Sequence, residues 1–127
     1  MSTKTVPVAE WPPFLARFGR AHRAWLTTVE RSAPGGRLHV QARWRPLEAV
    51  VAREVPGRPV AIELRFQDAL EPTAVVVRHP CAVRVNETPE GAERGLDIDE
   101  AKGACTRVRF RATALPETLD GVAPGEL

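Results

Sequence analysis

Residues 60–85, VAIELRFQDALEPTAVVVRHPCAVRV, decide the fold. In the first run Val60, Ile62, Leu64 and Phe66 alternate with Ala61, Glu63, Arg65 and Gln67, the period-two pattern of a strand with one face in the core. Residues 68–73 lose the alternation and contain Pro72, which predicts a loop longer than a two-residue turn. Residues 74–79 follow, and after Pro80 a third run sets Cys81, Val83 and Val85 against Ala82, Arg84 and Asn86. Three short strands in succession predict an antiparallel meander.

Working outward, residues 37–44 alternate as well: Leu38, Val40, Ala42 and Trp44 against Arg37, His39, Gln41 and Arg43. The Ala33-Pro34-Gly35-Gly36 cluster before them predicts a hairpin with residues 26–32. Residues 46–55 fit either helical or strand spacing, and the strand is preferred. At the other end residues 95–99 and 105–112 form a final hairpin. With Leu96 opposite Val108 and Ile98 opposite Thr106, Asp97 falls opposite Arg107 as a pair of opposite charges.

Upstream, Phe14, Phe18, Ala21 and Trp25 with Leu15 make an apolar stripe of helical period, and Pro12 and Pro13 suit a first helical turn. The spacing predicts a helix over residues 12–25 with Arg17, Arg20 and Arg23 along another side. The sequence therefore predicts an α+β fold: one N-terminal helix packed on a mainly antiparallel sheet of about seven strands, curled or barrel-like. Its organisation is a flexible lead-in at 1–10, a single domain at 11–115 and an acidic flexible tail at 116–127.

The composition is that of a globular chain of 127 residues, with 43% hydrophobic and 27% charged residues, 12 Pro and 9 Gly. A chain of this length buries roughly two thirds of the surface its unfolded form exposes, enough for a core without metal or disulfide. The net charge of +2 falls short of the basic bias that by itself implies nucleic acid. All but two of the 18 basic residues are arginine, which base composition explains as readily as selection for bidentate contacts. The first residues contain no apolar segment of the signal-peptide kind, and no stretch approaches the roughly 20 apolar residues of a membrane span, so a cytoplasmic protein with no membrane partner is expected.

His79, Cys81 and Cys105 offer imidazole and two thiols, a ligand set suited to zinc. Strand parity separates them, since Cys81 shares a face with Val83 and Val85 while Cys105 shares one with Arg107, Arg109 and Arg111. Free thiols, no metal site and no cofactor are expected. The acids at 97, 99 and 100 lack the spacing of a calcium loop and read as a solvated strand face. With Ser2 and Ser32 as its serines, no tyrosine and no Gly-x-Ser-x-Gly turn, the chain is poor in nucleophiles, and no catalytic residue is assigned. An acid-base enzyme using His22, His39 or His79 with a carboxylate is the third reading of function. The second is nucleic-acid or polyanion binding through arginine-rich strand faces, with Arg37, Arg43, Arg65, Arg84, Arg107, Arg109 and Arg111 as the candidate contacts. Those polar faces carry no aromatic platform for stacking bases. The first is a non-enzymatic module that binds another protein or associates with itself, because core-making residues are plentiful and chemical ones scarce.

The pattern Trp11, Phe14, Leu15, Phe18, His22, Trp25, then Pro46-Leu47, then His79-Pro80 with Val83, then Leu96-x-Ile98 with Gly103, Thr106, Val108 and Phe110, resembles a family of small uncharacterised bacterial proteins, a domain of unknown function. The resemblance runs from Trp11 to Phe110. It implies a helix followed by a compact β domain and brings no activity, cofactor or catalytic residue.

Overall fold

The computed structural model describes residues 2–56 and 58–111. The chain runs through strand β1 (Ser2–Thr5), a 3₁₀ turn (Val8–Glu10), helix α1 (Trp11–Ala21), and strands β2 (Leu26–Ser32), β3 (Leu38–Val55), β4 (Arg58–Phe66), β5 (Ala74–Arg78), β6 (Pro80–Glu87), β7 (Glu93–Glu100) and β8 (Cys105–Phe110). The eight strands form one sheet in the order β1-β6-β7-β8-β2-β3-β4-β5, antiparallel throughout. The fold is α+β as expected, but the sheet has eight strands instead of about seven and is not closed into a barrel. The added strand is β1, where no apolar repeat marks residues 2–5; Lys4 pairs with Val85 and Thr5 with Arg84.

The helix is shorter than residues 12–25. It begins at Trp11, with Pro12 and Pro13 in the first turn where an amide hydrogen has no helical partner. It ends at Ala21 because His22 leaves helical geometry and Ala24 adopts a left-handed backbone (φ 73°), turning the chain into β2. Trp11, Leu15 and Phe18 are its buried face, and the Trp11 indole donates to Val6 O at 2.9 Å. Full burial of side chains this large contributes on the order of 2 kcal/mol each.

Residues 46–55 are strand, as preferred, and belong to a single 18-residue strand that two neighbours share. Its first half pairs with β2, from Ser32 opposite Leu38 to Leu26 opposite Pro46; its second half pairs with β4, from Leu47 opposite Phe66 to Val55 opposite Arg58. The β2 pairing is interrupted twice. Val29 faces Ala42 while Glu30 faces Val40, so Gln41 is an extra residue, and Arg43 and Trp44 together face Thr28. At the second bulge Trp44 has φ 49° and its amide donates to Thr28 Oγ1 at 3.1 Å.

These bulges overturn the parity expected for residues 38–44. Ala42 is buried beside Val29, but Leu38, Val40 and Trp44 are 51%, 43% and 40% exposed. Leu38 and Val40 sit opposite Ser32 and Glu30, on the outer side of the sheet.

The meander is also corrected. β4 and β5 pair with Leu64 opposite Val75, but β6 does not return along β5. At His79 the backbone takes φ 52° and the chain runs on into β6, which pairs with β1 and β7. His79 N–H donates to Val60 O and its carbonyl accepts from Ala101 N–H, so one residue links opposite ends of the strand order and the sheet curls back on itself. Inside the curl lie Val29, Leu47, Val50, Ile62, Leu64, Val77, Val83, Leu96, Ile98 and Val108, and α1, packed against β3, adds Trp11, Leu15 and Phe18 to the same core. The final hairpin has the expected register: Leu96 faces Val108, Ile98 faces Thr106 and Asp97 faces Arg107. Among the described residues no helix is long and apolar enough to cross a membrane.

Candidate functional site: the open half-edge of β3

A strand shared by two neighbours has two sides that each partner covers only halfway. On the β2 side, β2 begins at Leu26 opposite Pro46. Beyond it the preceding residues take over: Ala24 N–H donates to Leu47 O, and Leu47 N–H donates to Trp25 O. Helix α1 then continues the cover, Gly19 lying so close to the Ala49–Val50 peptide that a Cβ there would come within 2.7 Å of Val50 N.

On the β4 side, β4 ends at Phe66 opposite Leu47, and Gln67 N–H donates to Pro46 O. The loop 68–73 is then gathered onto Arg45, whose guanidinium is buried and lies 4.5 Å from the Phe66 ring centre. Arg45 donates to both carboxylate oxygens of Asp68, to Leu70 O at 2.6 Å and to Pro72 O. That interaction lowers the Asp68 pKa from its ordinary value. Past Arg45, no described strand, loop or helix pairs with residues 38–44 on this side. Ala33 N–H donates to Arg37 O, and residues 31 and 39 are opposed, so by strand alternation the backbone groups of Leu38 and Val40 turn outward. Outward backbone groups beside exposed Leu38, Val40 and Trp44 make this half-edge a site where a further strand could add.

The candidate arginines are spread over β3, β4, β6 and β8 and the residues flanking β3 and β8. Arg65 is on β4, bonded to Glu63, which also accepts from Arg53 and is held below the usual carboxylate range, chiefly by Arg53. Arg84 is bonded to Asp99 through two hydrogen bonds, which lower the Asp99 pKa and raise that of Arg84. Arg109 lies 3.8 Å from Glu30. Across β6, β7, β8 and β2 the residues Arg84, Asp97, Arg107 and Glu30 stand opposite one another in turn, and Val40 ends the row on β3. Alternating charges in such a row screen one another locally and leave little net field for a polyanion. Arg107 and Arg111 are exposed and make no ion pair within 4.0 Å among the described residues; the same holds for Arg37 and Arg43, which flank the half-edge.

His22 is 4% exposed in a box of aromatic rings, with centres 4.4 Å from Phe18, 4.6 Å from Trp25 and 4.4 Å from Phe110. Its Nδ1–H donates to Phe18 O at 2.8 Å, and Nε2 lies 3.5 Å from Glu93, which accepts from Arg17 at 2.7 Å. Burial lowers the imidazole pKa, outweighing the Phe18 carbonyl and the Glu93 carboxylate, which favour the cation. A ring closed in this way is packing material, and its chemistry shows in stability. As pH falls through about 6.5 the unfolded chain takes up a proton that the folded imidazole refuses, so the contribution of His22 is complete above that value and is lost as pH falls through its lower folded pKa. Urea titrations between pH 7 and pH 5 should show stability declining by up to about 1.4 kcal/mol per pH unit from this group, and His22→Phe should remove that share of the slope. An unchanged slope in the variant would show that another group sets it.

His79 is exposed at the β5–β6 joint. Cys81, expected inward, is exposed, because the β6–β7 register shifts between Pro80 and Ala82 and turns it out. Cys105 is half-buried, and burial followed by Asp99 raises its thiol pKa. Both cysteines are free, and among the described residues no group of three or more His, Cys, Asp or Glu could hold a metal ion. The tail 116–127 lies outside the described residues.

Sequence reasoning missed the half-edge because alternation cannot reveal an inserted residue. Leu38, Val40, Ala42 and Trp44 keep a faultless period of two in the sequence, and the signal was the surplus of positions on β3 relative to β2. Comparison of the chain with protein-family models, with curated proteins and with solved structures found no match.

Proposed function

We propose that the protein is a non-enzymatic binding module that engages another polypeptide by strand addition along residues 38–44 of β3. The observation that carries this reading is the exposure of Leu38, Val40 and Trp44 beside a half-edge that no described residue pairs with, on a strand that α1 meets on its opposite side at Ala49 and Val50. An added strand satisfies the open backbone groups and draws apolar surface out of water, the two contributions that strand-addition modules combine. The ion pairs of Arg65, Arg84 and Arg109 and the acids interleaved with Arg84 and Arg107 weigh against a polyanion surface, and the burial of His22 weighs against its use as a general base.

Amide hydrogen exchange on the isolated protein tests the premise. The Leu38 and Val40 amides should exchange at rates near those of exposed loops, although they belong to the same strand as Val50, whose surroundings should be among the slowest. Equal protection along the whole of β3 would mean that the half-edge is already covered and would overturn the reading.

A further inference from the structure

We infer that the strand received at residues 38–44 is an acidic one: an extended segment of another protein that alternates carboxylates with apolar side chains. The inference rests on the strand-addition reading and is carried by the distribution of charge along the open edges. Residues 37–45, RLHVQARWR, contain Arg37, His39, Arg43 and Arg45 and no acid. Arg45 is spent on Asp68 and the 68–73 loop, but Arg37 and Arg43 are exposed, without an ion pair among the described residues, and stand at either end of the half-edge. The two residues are six positions apart, about 20 Å along an extended strand, the span of a six-residue segment.

A second copy of the chain is a poor occupant on the same evidence. Among the described residues the edge strands β1 and β5 and the half-edge of β3 carry Lys4, Arg78, and His39 with Arg43, and no carboxylate. Pairing any two brings like charges together, the device by which sheet proteins discourage edge-to-edge assembly. Of the three, β1 is wholly polar and β5 exposes Val76 alone among large apolar side chains, whereas β3 exposes Leu38, Val40 and Trp44. The edge that repels copies of itself is thus built to hold a chain of opposite charge.

The test uses the full-length protein and two fluorescein-labelled ten-residue peptides, one alternating glutamate with valine and threonine, the other with lysine in place of every glutamate. Binding is read by anisotropy, and the seat of binding by amide exchange at residues 38–44. The acidic peptide should bind at least tenfold tighter than the basic one, slow exchange at Leu38 and Val40, and weaken as salt rises. The double variant Arg37→Glu, Arg43→Glu should lose at least tenfold for the acidic peptide and prefer the basic one. Equal binding of both peptides with protection at 38–44 would overturn the acidic partner and leave strand addition standing. Binding without protection there, or no binding at millimolar peptide, would overturn both. Protection of 38–44 before any peptide is added would do so too, with sedimentation telling a second copy from a covering by the chain itself.

Discussion

Replacing Arg45 with alanine should lower the free energy of unfolding by about 2 kcal/mol, the scale of losing a buried guanidinium together with its several partly buried hydrogen bonds. The guanidinium does three jobs at once: it lies over the Phe66 ring, binds Asp68 through both oxygens, and holds the Leu70 and Pro72 carbonyls. Without it the 68–73 loop loses its anchor where β4 hands over the side of β3. Arg45→Lys should recover less than half of the loss, because an ammonium can neither fork nor stack in this way. Urea unfolding of both variants at pH 7 measures the difference, and a loss below about 1 kcal/mol in the alanine variant would show the loop to be self-supporting.

Gly95→Ala should cost as much or more, about 3 kcal/mol, for a different reason. Gly95 is paired between Asn86 of β6 and Arg109 of β8, and a Cβ there would clash with the Val108 carbonyl oxygen. The obstacle is backbone, so no rotamer change relieves it; β7 must move off β8 or the ladder must open. Gly91 makes the contrast. Its φ of 90° disfavours a side chain, but nothing lies within 4 Å of its would-be Cβ, and Gly91→Ala should cost only about 1 kcal/mol. Denaturation midpoints of the two variants compare crowding with backbone strain, and the Arg109 amide should exchange faster in Gly95→Ala alone.

The elements legible in the sequence are those where local pattern and tertiary environment agree. Leu96, Ile98, Val108 and Phe110 point inward with their predicted register because no residue is inserted in that hairpin between Gly95 and Cys105. The stripe of α1 was readable in part: Leu15 and Phe18 are buried and Phe14 is half-buried, but Ala21 is exposed and Trp25 lies beyond the helix, whose end depends on the left-handed turn at Ala24 and on the backbone of Leu47. The half-edge was hidden by Gln41 and by the Arg43–Trp44 bulge, which leave the alternation of letters intact while reversing the side on which they fall. The path from β5 to β6 was hidden too. A proline after a strand is read as a corner, whereas Pro80 is the first residue of β6, and the change of direction is taken up by the φ of His79.

That single-residue joint couples two registers that hydrogen bonding leaves independent. β5 is aligned on β4 and β6 on β7, at opposite ends of the strand order, yet with one residue between them neither can slide along its neighbour without dragging the other. A two-residue slip, which in an ordinary edge strand preserves the inward face and costs little specificity, would here have to be matched across the molecule. The covalent chain thus does for the edge strand β5 what a second hydrogen-bonded neighbour does for an interior one.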